Sequence, residues 1–436
     1  MFFGTDGIRG HFGAGLVATA YRLGQVLEGY VLVAEDNRPS SPQLAAALLA
    51  GLKKGAARVI YLGVLPTPVL SFLVRAWGAD WGVMITASHN PSVDNGLKLI
   101  AADGEKPTEK RRKGLEKEME KKEGLPGKIP APCPTADAAK RGMHAYLESL
   151  PTENLRGLRV AVDCANGAAY SLVKQAFLSR GATVRCVAHG KGNRINAGCG
   201  ALYPAYVHSQ MQGEDIAFAL DGDGDRCVGV LPSGRILDGD CILYLLALHW
   251  KRQGLLRQST VVSTELANGA LEGALGAHGI GIERVNVGDA NVWERMKEKG
   301  YVLGAEPSGH VLMHSAISCG TRTALAVAGI YGEIEKDLQG YSPLPQVRRD
   351  MPLGEKDVEK LCVYAEDERV IEEALSRHLG QRIEVERGKV CKAHPCRVLL
   401  RPSGTQPLVR VMVEHDDSLF ATHLADKLAS ALSVGK

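Results

Sequence analysis

Three aspartates separated by single glycines, Asp221-Gly222-Asp223-Gly224-Asp225, follow directly on the apolar run Ile216 to Leu220. The glycines let the backbone curl until the three carboxylates converge. At about 5 Å they would repel by roughly 3 kcal/mol per pair at an effective dielectric of ~20. A hard divalent cation removes that cost, and oxygen-only ligands favour Mg²⁺. A calcium EF-hand loop does not fit, because Arg226 stands where its sixth-position glycine belongs and Pro232 where its final glutamate belongs. A solvated acidic turn is the competing reading, since Asp and Gly are common turn formers. The place at a strand end argues for the metal.

Ser88 ends another apolar run, Trp81 to Thr86, with His89 beside it and Pro91 forbidding continuation. That places its hydroxyl at the exposed C-terminal mouth of a sheet, where α/β proteins hold ligands. Lys98 follows past a turn expected at Asp94-Asn95-Gly96. Alone, a loop serine is most often a turn residue. A third run, Tyr301 to Leu303, leads into Glu306-Pro307-Ser308-Gly309-His310. There Glu306, Ser308 and His310 could grip sugar hydroxyls and a nearby phosphate, or could simply form a structural turn. In a fourth stretch Arg401 and Arg410 flank Ser403-Gly404-Thr405, whose backbone N–H groups can nest an anion. No Walker A pattern is present, and Gly13-Ala14-Gly15 follows no strand, so neither nucleotide signature holds.

The elements that must position these groups read as α/β. Tyr30–Val33 and Arg58–Tyr61 flank a helix with Ser41 as N-cap, Pro42 next and Gly55 at its end. Leu158–Val162 and Thr183–Val187 flank Leu172, Val173, Ala176 and Phe177 at helical spacing. Val261–Val262 and Ile282–Val285 flank Leu271 and Leu275. These are three βαβ crossovers. Residues 105–123 interleave Lys, Arg and Glu, the pattern of a solvated helix. Gly124 to Pro134 is a connector, and a break falls at Tyr341-Ser342-Pro343-Leu344-Pro345.

At 436 residues the chain exceeds one core and calls for about three or four domains. A net charge of +3 and few aromatics, seven Phe and four Trp, argue against a nucleic-acid partner and suit a small anion. Ten cysteines without paired spacing read as free thiols in a reducing compartment. The first residues reach Asp6 and Arg9 before any apolar run, unlike a secretory leader, and no run approaches a membrane span. The expectation is a cytoplasmic protein with no membrane partner.

Taken together, Gly4-Thr5-Asp6-Gly7-Ile8-Arg9-Gly10, the Ser88-His89-Asn90-Pro91 loop, Asp94 to Lys98, the aspartate trio, Glu306 to His310 and the Arg401 loop resemble the α-D-phosphohexomutases. The match covers essentially the whole chain and is most similar to the phosphoglucosamine mutases. The resemblance implies three related α/β domains with mixed sheets and a smaller C-terminal α+β domain around a central cleft. The domains are expected at 1–150 (serine loop), 151–250 (metal loop), 251–346 (sugar loop) and 347–436 (phosphate loop). It implies that Ser88, as a phosphoserine, exchanges its phosphoryl group with glucosamine 6-phosphate through a 1,6-bisphosphate of glucosamine or glucose, giving glucosamine 1-phosphate. One Mg²⁺ per subunit would sit on Ser88, Asp221, Asp223 and Asp225. Lys98 and Arg9 would take acid–base or electrostatic roles, and His89 would orient the loop. Arg226, Glu306, Ser308, His310, Arg401, Ser403, Gly404, Thr405 and Arg410 would bind substrate. A homodimer is compatible with the resemblance.

Departures from the family pattern are Gln406 in place of Glu, Ala290 in place of a basic residue after Val287-Gly288-Asp289, and Ser318-Cys319-Gly320-Thr321 in place of Thr-Gly-Asp-Gly. They leave the sugar open, with phosphomannomutase or phosphoglucomutase activity as the alternative. An aspartate-dependent phosphatase is disfavoured, because Asp225 stands where that family needs Thr or Val. A sugar-phosphate sensor would bind ligand without stable phosphorylation of Ser88.

Overall fold

The structure, a computed structural model, describes residues 7–122, 124–125, 129–190, 194–352, 391–393, 396–402 and 408–433. Four sheets are formed among them. The first holds β1 (Ile8–His11), β2 (Tyr30–Glu35), β3 (Arg58–Val64), β4 (Trp81–Ile85) and β5 (Asp94–Ala101) in the order β1-β5-β4-β2-β3. The second holds β6 (Arg159–Asp163), β7 (Thr183–Val187), β8 (Ile216–Leu220), β9 (Cys227–Val230) and β10 (Ile236–Leu237) in the order β10-β9-β8-β6-β7. The third, β11 (Thr260–Thr264), β12 (Gly281–Val285), β13 (Leu303–Ala305) and β14 (Val311–Met313), runs β12-β11-β13-β14.

One scheme repeats in all three. A first strand pairs in parallel with the second on one side and the third on the other, and the third pairs antiparallel with the fourth. The three expected crossovers are these parallel pairs. The fold is therefore three α/β sheets followed by a fourth, all-antiparallel sheet. That sheet comprises β15 (Gln346–Pro352), β16 (Cys391–Ala393), β17 (Cys396–Pro402) and β18 (Leu408–Glu414), with a helix over Ser418–Ser433. The chain forms two compact units: 1–264 with 280–338, carrying the first three sheets, and 265–279 with 339–436, carrying the fourth. No helix among the described residues is long and apolar enough to cross a membrane.

The central strands are apolar throughout because they are covered on both faces. In β2, Val31 and Val33 join a core with Leu44, Leu48 and Leu52 of the helix Ser41–Lys54, while Leu32 and Ala34 are equally buried. Of the helix Glu109–Glu120 only Met119 is buried, as its interleaved charges predict. Two local expectations are corrected. Ser40, not Ser41, occupies the N-cap. Asp94-Asn95-Gly96 opens β5 rather than forming a turn, because His11, Gly10 and Arg9 pair across from them.

Where β2 ends, Glu35 is almost fully buried, and Oε2 of its carboxyl has no hydrogen-bond partner. Burial raises its pKa from 4.5 to about 7, against a hydrogen bond with Tyr61, and neighbouring Asp36 raises it further. The folded protein thus favours the protonated acid. Stability from this group is full below pH 4.5 and lost as pH rises through about 7. That shift corresponds to about 3 kcal/mol. The Glu35→Gln variant should gain on the parent protein by up to that amount between these limits, read as diverging thermal midpoints. A difference that does not change with pH would contradict the assignment.

Candidate active site

The three functional loops occupy one topological place, between the third strand of a sheet and its antiparallel return. Ser88 lies between β4 and β5, Asp221 to Asp225 between β8 and β9, and Glu306 to His310 between β13 and β14. Cys227 N–H, at the start of β9, donates to Gly309 O of the third loop at 3.0 Å, and Thr67 N–H, at the start of the helix Thr67–Ala76, donates to Asp223 O of the second at 3.0 Å.

One oxygen from each of Asp221, Asp223 and Asp225 lies within 4.8 Å of the others, and all three residues are buried. Ser88 Oγ donates to Asp221 Oδ2 at 2.7 Å. The serine is 1% exposed, so it lies beneath the surface rather than at an open mouth. It holds φ at +51°, a left-handed conformation that costs a non-glycine residue about 1 kcal/mol and must be enforced from outside. Lys98 Nζ donates to Asp223 Oδ2 and Asp225 Oδ2, both at 2.7 Å, and Thr67 Oγ1 donates to Asp223 Oδ2 at 2.6 Å.

His310 links the third loop to this centre. Its Nδ1 lies 2.9 Å from Glu306 Oε2 and its Nε2 3.1 Å from Asp225 Oδ1. Burial alone would lower its pKa, but Asp225 and Glu306 outweigh burial and Arg226, raising it to about 10. That value favours the imidazolium; Arg226 Nε, 3.3 Å from His310 Nε2, opposes the charge that Asp225 and Glu306 sustain. Glu306 Oε1 accepts from Gly288 N–H at 3.0 Å, so both oxygens of that carboxylate are engaged, whereas Ser308 is exposed.

Arg226 N–H donates to Asp221 Oδ1 at 3.1 Å. Against three cations (Lys98, Arg226 and His310) stand four carboxyls, those of Asp221, Asp223, Asp225 and Glu306. The fourth carboxyl, Asp221, is the one that favours the protonated, neutral form. Its pKa rises to about 8 through burial, then Asp225 and Asp223, against Arg226 and Lys98. Asp225 is held well below the usual range, Lys98 and His310 overcoming its burial. His89 Nδ1 sits 3.4 Å from Ser88 Oγ, and burial with the cations Arg226 and Arg9 lowers its pKa to about 2. It is neutral at any working pH and suited to orienting the hydroxyl.

Family models match the chain over residues 1–125 (phosphoglucomutase/phosphomannomutase, alpha/beta/alpha domain I), 238–343 (domain III of the same description) and 356–431 (its C-terminal domain). The chain belongs to the phosphoglucomutase/phosphomannomutase family. It is 37% identical to the phosphoglucosamine mutase of Clostridium botulinum, over 99% of this chain and 98% of that one. It is 36% identical to that of Sphingopyxis alaskensis at the same coverage. In fold it is similar to a family protein from Burkholderia thailandensis, with a TM-score of 0.78, 22% identity, and coverage of 100% of this chain and 98% of that one.

Within this family member the phosphate loop is only framed. Ser403, Gly404 and Thr405, with Gln406, lie outside the described residues. Arg401 and Arg410 are directly paired in register across β17 and β18, on either side of the loop. Arg410 Nε lies 3.6 Å from Asp350.

Several residues around the serine were not anticipated. Asp36 accepts from Thr86 Oγ1 at 2.7 Å, Ser41 Oγ at 3.0 Å and Arg38 Nε at 3.0 Å, and Thr86 Oγ1 accepts from Ser88 N–H at 2.8 Å. The signal was available, because Asp36 and Arg38 follow an apolar strand just as Ser88 does.

Gly239 shows how tightly the third loop is held. A Cβ there would lie 1.8 Å from Glu306 O. The Gly239→Ala variant should lose about 1–3 kcal/mol of stability, seen as a lower thermal midpoint with a parallel fall in turnover. An unchanged midpoint would show that the loop yields.

Proposed function

We propose that the chain is a phosphoglucosamine mutase interconverting glucosamine 6-phosphate and glucosamine 1-phosphate, with its phosphoryl group carried on Ser88. The observation that carries this reading is the 2.7 Å contact between Ser88 Oγ and Asp221 inside a buried trio of carboxylates. The identity of 36–37% over nearly the full length of proteins named for that reaction supports the choice of sugar.

The trio fits a divalent cation. Its donors are all oxygen, they converge within 4.8 Å, and Asp223 Oδ1 is buried without a hydrogen-bond partner. Asp221, Asp223 and Asp225, with an oxygen on Ser88, would hold Mg²⁺, which supplies charge neutralisation during phosphoryl transfer.

In the forward direction the phosphoryl group leaves Ser88 for the O1 hydroxyl of glucosamine 6-phosphate, whose proton must be taken up, giving the 1,6-bisphosphate. The bisphosphate then returns its 6-phosphoryl group to Ser88, and O6 regains a proton. Lys98 bridges Asp223 and Asp225 as an ammonium; it supplies positive charge beside the reacting oxygen and would accept a proton only in its neutral form. Arg9 and Arg226, both near enough to His89 to lower its pKa, would supply fixed positive charge beside Ser88. Glu306, Ser308 and His310 are assigned to the sugar, and Arg401, Ser403, Gly404, Thr405 and Arg410 to the phosphate that is not reacting. Four domains divided at about residues 150, 250 and 346 would carry one loop each. A cytoplasmic setting accords with free thiols at Cys133, Cys164, Cys186, Cys199, Cys227, Cys241 and Cys319.

Turnover of glucosamine, glucose and mannose phosphates tests the reading. Glucosamine phosphate should be preferred, and Ser88→Ala should abolish activity. A preference for mannose or glucose phosphate would move the protein to another branch of the family, and an active Ser88→Ala variant would remove the serine mechanism.

Mg²⁺ at a hundredfold excess over its Kd should stabilise the protein by about 2.7 kcal/mol. The accompanying rise in thermal midpoint should be absent in Asp223→Asn. An equal rise in both would place the ion elsewhere.

A further inference from the structure

The left-handed conformation of Ser88 is held by its own loop's carbonyls. Arg38, 1% exposed, donates from Nη2 to Ser88 O at 2.9 Å and to Asn90 O at 2.8 Å, and from Nη1 to Asp94 O at 2.9 Å and to Pro91 O. From the second sheet's side, Asn196 Nδ2 donates to the same two carbonyls, Ser88 O at 2.8 Å and Asn90 O at 3.0 Å. Asn196 is itself left-handed at φ +57° and buried, with its N–H donating to Ala165 O at 2.9 Å. Gly222 lies against this junction. A Cβ there would stand 2.7 Å from Ser88 O and 3.0 Å from Asn196 Nδ2.

A second amide crosses between the same two sheets in the opposite sense. Asn37 Nδ2 donates to Asn166 O at 3.1 Å and to Gly167 O at 2.7 Å. Both of these hydrogen bonds go to the Asn166-Gly167 backbone and neither to the serine loop.

We propose that Arg38 and Asn196 are positioning residues for the nucleophile. Together they form a clamp on the Ser88 and Asn90 carbonyls that fixes Ser88 Oγ against Asp221 and ties the serine loop of the first sheet to the metal loop of the second. The physical reason is that a left-handed serine relaxes toward negative φ unless its carbonyl is held, and rotation of that peptide swings Oγ away from the trio. Arg38 supplies the grip from within the first sheet. Asn196 supplies the registration with the second, where the carboxylates are. The clamp uses four donor contacts on two acceptors, which saturates both carbonyls and leaves each with one orientation. The inference rests on Ser88 being the reacting group.

The experiment compares Asn196→Ala, Asn196→Asp, Asn37→Ala and Ser88→Ala in the full-length protein, by kcat, KM and thermal midpoint. Asn196→Ala should lower kcat by about tenfold or more with KM within about twofold, because the groups that bind substrate are untouched while the reacting atom is displaced. Asn196→Asp keeps the shape but turns a donor into an acceptor facing two carbonyls, so its kcat should fall further. Asn37→Ala removes as many intersheet hydrogen bonds without touching the loop. It should lower the midpoint comparably and kcat by less than about twofold. Equal kcat losses in Asn37→Ala and Asn196→Ala would reduce Asn196 to a structural contact and overturn the clamp, as would an Asn196→Asp variant with parental kcat. Full activity in Ser88→Ala would instead overturn the serine mechanism itself.

Discussion

Three carboxylates buried within 4.8 Å of one another are the constraint around which the first unit is arranged. At that separation each charged pair repels by about 3 kcal/mol at an effective dielectric of ~20, before the cost of burial is counted. Positive groups come from all three sheets: Lys98 from β5, Arg226 from just before β9, and His310 from the loop before β14. The imidazolium is sustained by Glu306, which stands on the far side of the ring from Asp225. Charge balance thus accounts for the raised pKa of Asp221, the residue that accepts from the serine and that favours its neutral form.

The repeated sheet scheme explains how such a convergence is built. In each of the three α/β sheets the loop that matters follows the last parallel strand and precedes the antiparallel return. Side chains at that place leave the C-terminal edge of a parallel strand pair and are held from both sides by backbone pairing. Ser88 is buried at positive φ, and the carbonyls of its loop accept from Arg38 and Asn196. Under the proposed function such fixity would serve a nucleophile that passes a phosphoryl group in both directions, since misplacement costs orientation on each pass.

Much of this was legible from residue types. The apolar runs before Ser88, Asp221 and Glu306 announced strands, and the polar groups after them come together in the structure, because buried parallel strands are apolar along their length and change character sharply at their ends. What could not be read was which polar groups would satisfy one another. Glu306 and His310 look in sequence like sugar ligands, and in the structure their polar atoms are engaged with each other, with Gly288 N–H and with Asp225. Asp94 to Gly96 carry turn-forming residue types, yet pairing with Ile8–His11 draws them into a strand, tertiary context overriding local preference. Asn196 gave no signal at all, since it lies in no periodic segment and its partner carbonyls are more than a hundred residues away in the chain.

The most direct measurement of the central claim is the intact mass of the purified protein before and after phosphatase treatment, with fragmentation to locate any modification. The account predicts an adduct of about 80 Da on Ser88 that phosphatase removes and that glucosamine 1,6-bisphosphate restores. An unmodified serine after exposure to the bisphosphate, or a phosphoryl group found on an aspartate of the trio, would contradict it.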